Sequence, residues 1–158
     1  MARTSAAIRR QAVKTTADGE ALVAAARAYI GVPFRHAGRS MQGVDCIGLL
    51  LCAAHDAGVT TYDETHYGTA VDTDRLRRQI EEVCALVWSP VDTDDPRDEA
   101  QPGDVLLFQV MASPQHTGMF TGEGFVHAYQ GVGYVVETPL EGRWLRRVVA
   151  VYRWVGGP

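Results

Sequence analysis

Cys46, His116 and His127 are the side chains whose types and contexts suit one reaction. Cys46 stands in Gly43-Val44-Asp45-Cys46-Ile47-Gly48-Leu49-Leu50, a loop-to-helix junction where Asp45 is placed to cap and Cys46 to occupy the first turn. Unpaired backbone N–H groups and the positive end of the helix dipole favour a thiolate there, lowering a thiol from about 8.5 toward roughly 3.5–7.5. A thiolate nucleophile needs a general base within hydrogen-bond reach and a third group to orient that base. His116 opens His116-Thr117-Gly118-Met119-Phe120, and His127 lies in Gly124-Phe125-Val126-His127-Ala128-Tyr129. If Gly122-Glu123 is a two-residue hairpin loop, Thr121 pairs with Gly124, Gly118 with His127 and His116 with Tyr129. Both imidazoles then share one face as diagonal neighbours, whereas a one-residue slip would send them to opposite faces.

Each of these residues also has a plain structural role open to it. Helix position alone leaves Cys46 as a nucleophile or a small buried apolar residue, and a lone strand histidine is often only a hydrogen-bonded structural group. Cys52 and Cys84 fall on apolar helix faces and read as inert core. His36 either lines a cleft or is a solvated loop residue; His55 and His66 read as structural or exposed. Cys52 and His55, three apart, could ligate zinc with Cys84 or Cys46, but no Cys-x-x-Cys or His-Glu-x-x-His motif supports this, so no metal and no cofactor is expected. The glycines from Gly118 to Gly133 fall among strand turns and precede no helix, so they form no phosphate loop.

The elements that must hold these residues follow from apolar spacing. Asp18 caps a helix over Glu20–Ile30 that Gly31 and Pro33 stop, a loop covers Gly31–Val44, and a buried helix begins near Asp45 and ends before Gly58. Leu76, Ile80, Val83, Cys84 and Val87 predict a third helix over Asp74–Trp88. From Pro102-Gly103-Asp104 onward, short β-type segments cover Val105–Val110, His116–Thr121, Phe125–Tyr129, Tyr134–Glu137 and Val148–Trp154. Helices first and a strand meander second predict an α+β fold, with N-terminal helices packed on a C-terminal antiparallel sheet, because βαβ units would alternate the two.

The 158 residues, 46% of them apolar, fit one domain over residues 18–158, and residues 1–17 hold four basic side chains and no acidic one, which reads as a mobile arm. A net charge of −4 argues against a general nucleic-acid binder. No apolar run approaches the roughly 20 residues of a membrane span, and the basic N-terminus lacks the apolar core of a signal peptide. Three cysteines make a closed disulfide framework unexpected.

Four segments in order resemble the NlpC-type, papain-like bacterial cell-wall peptidases: the first helix with Tyr29-Ile30-Gly31-Val32-Pro33-Phe34, the motif Asp45-Cys46-Ile47-Gly48-Leu49, the pre-strand Pro102-Gly103-Asp104-Val105-Leu106-Leu107-Phe108, and the two histidine strands. The resemblance covers roughly residues 20–155. It implies Cys46 as nucleophile, His116 as base and His127 as the group orienting it, in a cysteine endopeptidase that cuts peptidoglycan stem peptides, typically between γ-D-glutamyl and the diamino acid. Substrate contacts are expected from Asp45, His36, Phe34 and Gly118. Arg35-His36-Ala37-Gly38, Gly133-Tyr134-Val135-Val136-Glu137 and Trp144-Leu145-Arg146-Arg147 are similar to the subgroup encoded with tail genes of phages and gene transfer agents. That subgroup implies carriage on a tail, docking of residues 1–17 on a tail hub or tail-tip protein, and delivery to the periplasmic wall without a signal peptide.

Two positions depart from the family. Phe34 stands where it usually has tyrosine, and Ile47 where it usually has serine. In the family the aspartate before the cysteine, often with that tyrosine, can help hold a free N-terminal amine of the stem peptide, and here the phenol of that pair is missing. A tail component that keeps the fold for assembly with little hydrolysis, and an amidase or acyltransferase using the same thioester, are the rival readings.

Overall fold

In the computed structural model, which describes residues 18–68, 73–110 and 113–155, the first helix starts where Asp18 caps it. The Asp18 carboxylate accepts from the Glu20 and Ala21 N–H groups, and α1 runs over Gly19–Arg27 with Leu22, Val23 and Ala26 as its buried face. The basic arm expected over residues 1–17 lies outside the described residues. Within the stretch expected to be loop, the chain makes a small antiparallel hairpin, β1 (Arg39–Ser40) with β2 (Gly43–Val44). The second helix, α2 (Cys46–Asp56), is buried continuously from Ile47 to Ala54. A helix apolar on every side belongs inside a core, and this one lies between α1 and the sheet.

The third helix departs from expectation. α3 covers Thr73–Glu81 only, and Cys84–Trp88 forms a strand, β3. Cys-Ala-Leu-Val-Trp is apolar at every position, so its spacing satisfies helix and strand alike, and pairing decides. Cys84, Ala85 and Leu86 lie opposite Trp154, Arg153 and Tyr152 of the last strand.

That last strand is β8 (Val148–Trp154), preceded by β4 (Val105–Val110), β5 (Ser113–Phe120), β6 (Gly124–Tyr129), β7 (Tyr134–Pro139) and a short helix, α4 (Gly142–Arg146). The sheet order is β3-β8-β4-β5-β6-β7, antiparallel throughout. The fold is α+β and papain-like, with helices against an antiparallel sheet. One face buries Leu107, Met119, Val126 and Ala128 under the helices, and the other buries Leu106, Phe108, Phe120 and Phe125 against Leu140 and Trp144.

Pro102-Gly103-Asp104 is a structural clasp at the entry to β4. The Arg153 guanidinium grips both Asp104 oxygens at 2.9 and 2.8 Å, and the Trp154 indole N–H donates to the Gly103 carbonyl at 3.0 Å. Asp104 is 2% exposed, so this bidentate geometry offsets a large desolvation cost.

Candidate active site

The β5–β6 hairpin has the two-residue loop that the register argument needs. Thr121 N–H donates to the Gly124 carbonyl, Gly122 takes φ +109°, and Met119 and Phe120 face Val126 and Phe125. Counting outward along that register puts His116 and His127 on one face as diagonal neighbours. Their rings meet, with His116 Nε2 2.7 Å from His127 Nδ1. On its far side, His127 Nε2 lies 2.9 Å from Thr138 Oγ1 on β7. The pair is embedded in aromatic rings: Trp144 lies 5.8 Å from His116 and 5.2 Å from His127 between centroids, and Phe108 and Tyr129 flank His116.

This chain of contacts couples the two tautomers. If Thr138 Oγ1 accepts from His127 Nε2–H, then His127 Nδ1 is bare and accepts from His116 Nε2–H. His116 Nδ1 is then the unprotonated nitrogen, and His116 lines the same cleft as Cys46.

The cleft, about 320 Å³, opens at the end of the sheet where β4 and β6 stop at Val110 and Tyr129 and where β5 begins. Cys46 enters it from the first turn of α2, beside Phe34, His36, Asp45 and Tyr67. Gly48 makes this approach possible: a Cβ there would stand 2.3 Å from the Gly38 carbonyl oxygen and 2.9 Å from Asp45 Oδ1.

The thiol differs from expectation. Burial, and after it the Asp45 charge, pushes the Cys46 thiol up, while the hydroxyl and backbone of Thr117 and the backbone of Ile47 act in the other direction. Burial, and then the neighbouring His127, drives His116 down to about 3; burial alone brings His127 to about 4. The resting pair is therefore neutral thiol and neutral imidazole.

Thr117 is fully buried, and its Oγ1 makes no hydrogen bond of good geometry to the resting thiol or to any other described residue, although it lies near enough to Cys46 to favour the thiolate. An unsatisfied buried hydroxyl costs about 1–3 kcal/mol. Thr117→Val should raise the unfolding free energy by about 1 kcal/mol. The same change removes a group that favours the thiolate and should slow iodoacetamide alkylation of Cys46. Denaturant unfolding and alkylation rates check the two halves, and a Thr117→Val protein that is both less stable and equally reactive would contradict them.

Asp45 is wholly engaged. Its Oδ1 accepts from Gly48 N–H at 2.7 Å, capping α2, and from Arg39 Nη1 at 3.2 Å; its Oδ2 accepts from Ala37 N–H at 2.8 Å and from the Tyr67 hydroxyl at 2.6 Å. Ala37 holds φ +56°, unusual for a residue with a side chain, at the position that sends its N–H to Asp45.

Of the residues expected to contact substrate, Phe34, His36 and Asp45 line the cleft, with His36 Nε2 3.1 Å from the Tyr67 carbonyl oxygen. Gly118 is not among the described lining residues. It is buried, and a Cβ on it would come within 2.7 Å of the Phe125 ring, so its bareness lets Phe125 and His127 pack. Sequence reasoning passed over Arg39, Tyr67, Thr117 and Thr138, and no local pattern marks any of them. Among the described residues no group of three His, Cys, Asp or Glu is placed to hold a metal, and no helix is long and apolar enough to cross a membrane.

A cysteine at the head of a buried helix, facing a histidine strand across one cleft, defines a papain-like protein. Residues 31–153 match the NlpC/P60 family, and the chain belongs to it. It is 32% identical over 109 residues to the Mycobacterium tuberculosis protein named "Probable endopeptidase Rv2190c", an alignment covering 69% of this chain and 23% of that one. The chain thus spans about a quarter of that relative's length. The NlpC/p60 domain of the peptidoglycan hydrolase SagA superposes with TM-score 0.58 at 23% identity, covering 85% of this chain and 97% of that one. RipD of Mycobacterium tuberculosis, described as a non-catalytic NlpC/p60 protein adapted to peptidoglycan binding, superposes with TM-score 0.53 at 16% identity over 85% of this chain and 95% of its own.

Proposed function

We propose that the protein is a cysteine endopeptidase that cuts peptidoglycan stem peptides, at the bond between γ-D-glutamyl and the diamino acid, through Cys46, His116 and His127. The observation that carries this reading is the 2.7 Å contact between the two histidines, anchored by Thr138 and opening onto the cleft that Cys46 shares. As Cys46 Sγ attacks the amide carbonyl, its proton passes to His116 Nδ1. His116 then protonates the departing amine as the C–N bond breaks. Water, deprotonated by His116, hydrolyses the thioester and restores the thiol. The Cys46 N–H and a second donor from the Gly38–Asp45 loop would hold the oxyanion, a contribution of about 3–4 kcal/mol. Asp45, His36 and Phe34 form the wall on which the acyl side of the substrate would rest.

A wall-binding role without hydrolysis is the second reading, and the likeness to RipD favours it. Retention of the cysteine and of the two histidines in mutual contact, with Cys46 and His116 lining one cleft, favours the enzyme. We extend the proposal to delivery with a phage or gene-transfer-agent tail, residues 1–17 docking on a hub or tip protein and the hydrolase reaching the periplasmic wall with the particle; its support is the likeness of the Arg35-His36-Ala37-Gly38 and Trp144-Leu145-Arg146-Arg147 segments to that subgroup.

Mass spectrometry of purified peptidoglycan treated with the protein and with Cys46→Ala tests the activity. Stem-peptide fragments are expected from the wild type alone, and their masses name the bond. Fragments from both proteins, or from neither with both folded by circular dichroism, would reject the cysteine mechanism.

A further inference from the structure

His116, His127 and Thr138 run as one diagonal across the neighbouring strands β5, β6 and β7, on a single face of the sheet. His127 stands opposite Val136, so Thr138, further along β7, is its diagonal neighbour. β7 closes on β6 here because Gly124 leaves room, since a Cβ on it would run into the Thr138 carbonyl. His127 is 1% exposed, and Thr138 Oγ1 at 2.9 Å is the partner the structure gives to its Nε2.

Burial keeps both rings neutral, and a neutral imidazole has one N–H and one bare nitrogen. The two contacts therefore admit two proton arrangements: both N–H groups point along the chain toward Thr138, or both point away from it. In the first, His116 Nδ1 is bare and able to take the Cys46 proton. In the second it already carries a proton and offers the thiol no base. The first puts both rings in the Nε2–H form, the tautomer that a free histidine side chain favours in water. It also suits the hydroxyl, which has two acceptor lone pairs and one rotatable proton. Thr138 is half-buried on the outermost strand of the sheet, so Oγ1 can accept from Nε2–H and leave its own proton free to turn toward solvent. We infer that Thr138 is a positioning residue: by accepting from His127 Nε2–H it sets the proton direction along the pair and keeps His116 Nδ1 bare. The tautomer assignment stands on the contacts, and its catalytic consequence rests on the peptidase reading above.

The test compares the 15N-labelled full chain with Thr138→Val, which keeps the shape and loses the hydroxyl, and Thr138→Ser, which keeps the hydroxyl. Long-range 1H–15N spectra of the imidazoles at neutral pH, assigned by the signals lost in His116→Gln and His127→Gln, show which ring nitrogen holds each proton. Wild type and Thr138→Ser are expected to show Nε2–H at both histidines. Thr138→Val strands a buried donor, so both rings should move toward Nδ1–H, where the His116 proton faces the cleft. On stem-peptide fragments Thr138→Val should lower kcat about tenfold with KM nearly unchanged, the scale of one unsatisfied buried donor, and Thr138→Ser should stay within about threefold of wild type. Nδ1–H at either histidine of the wild type, a Thr138→Val spectrum identical to wild type, or a Thr138→Ser spectrum matching Thr138→Val overturns the inference. So does an unchanged kcat for Thr138→Val where the wild type cleaves. If Thr138→Val does not fold, Thr138→Ala takes its place under the same criteria. Should the wild type cleave no stem peptide, the peptidase reading falls and the spectra alone decide the tautomer assignment.

Discussion

His116→Gln is expected to lower kcat/KM on peptidoglycan fragments by about 10⁴-fold or more, with the fold retained, because members of a nucleophile–base unit fail together when one is lost. The proposed mechanism gives the reason a glutamine cannot substitute. Burial keeps the Cys46 thiol protonated, and the proton must go to a group inside the cleft rather than to water. In the proposed mechanism His116 Nδ1 is that group, and its basicity toward the thiol rests on Nε2–H donating to His127 Nδ1 across 2.7 Å. The same variant should therefore depress alkylation of Cys46 by iodoacetamide at neutral pH. Activity within tenfold of wild type would remove His116 from the mechanism.

Acid should act on both activity and stability, with a predictable sign. His116, at about 3, and His127, at about 4, sit below the ordinary histidine value of 6.5 because both are buried. The unfolded chain therefore binds protons at these sites below pH 6.5 that the folded chain refuses. The stability they contribute is complete above about 6.5, declines as pH falls, and is gone below about 3. Each histidine can cost up to about 1.4 kcal/mol per pH unit within that window. Urea midpoints measured from pH 7 to pH 4.5 should fall more steeply for wild type than for the His116→Gln/His127→Gln double variant, which isolates the histidines from the carboxylates. Equal slopes would refute this. For activity, His116 stays unprotonated well into acid, so the acid limb of kcat/KM should lie well below 6.5 wherever the protein remains folded.

How much of this was legible in the sequence depends on whether a feature is local. The caps at Asp18 and Asp45 were visible because a short acidic side chain before an apolar periodic run has one favoured use. The facing of His116 and His127 was legible because a two-residue loop with glycine first leaves a single register. The split of Asp74–Trp88 into α3 and β3 was not legible, since an all-apolar segment takes its state from its partner strand, which lies at the far end of the chain. Arg39, Tyr67 and Thr138 were invisible for the same reason: each matters through a contact made only after folding. The thiol came out opposite to expectation because a helix start was judged without the burial and the adjacent carboxylate that outweigh it.

Asp45 joins two structural tasks. It caps the helix that presents the sulfur, and it is also the anchor to which the Ala37 backbone, Arg39 and Tyr67 attach. Changing Asp45 itself would loosen the nucleophile's helix by about 1 kcal/mol or more for the lost cap alone. Its side-chain donors cap no helix, so the surroundings of this carboxylate have room to change over evolutionary time at positions 39 and 67, while position 45 is held in place by the helix it starts.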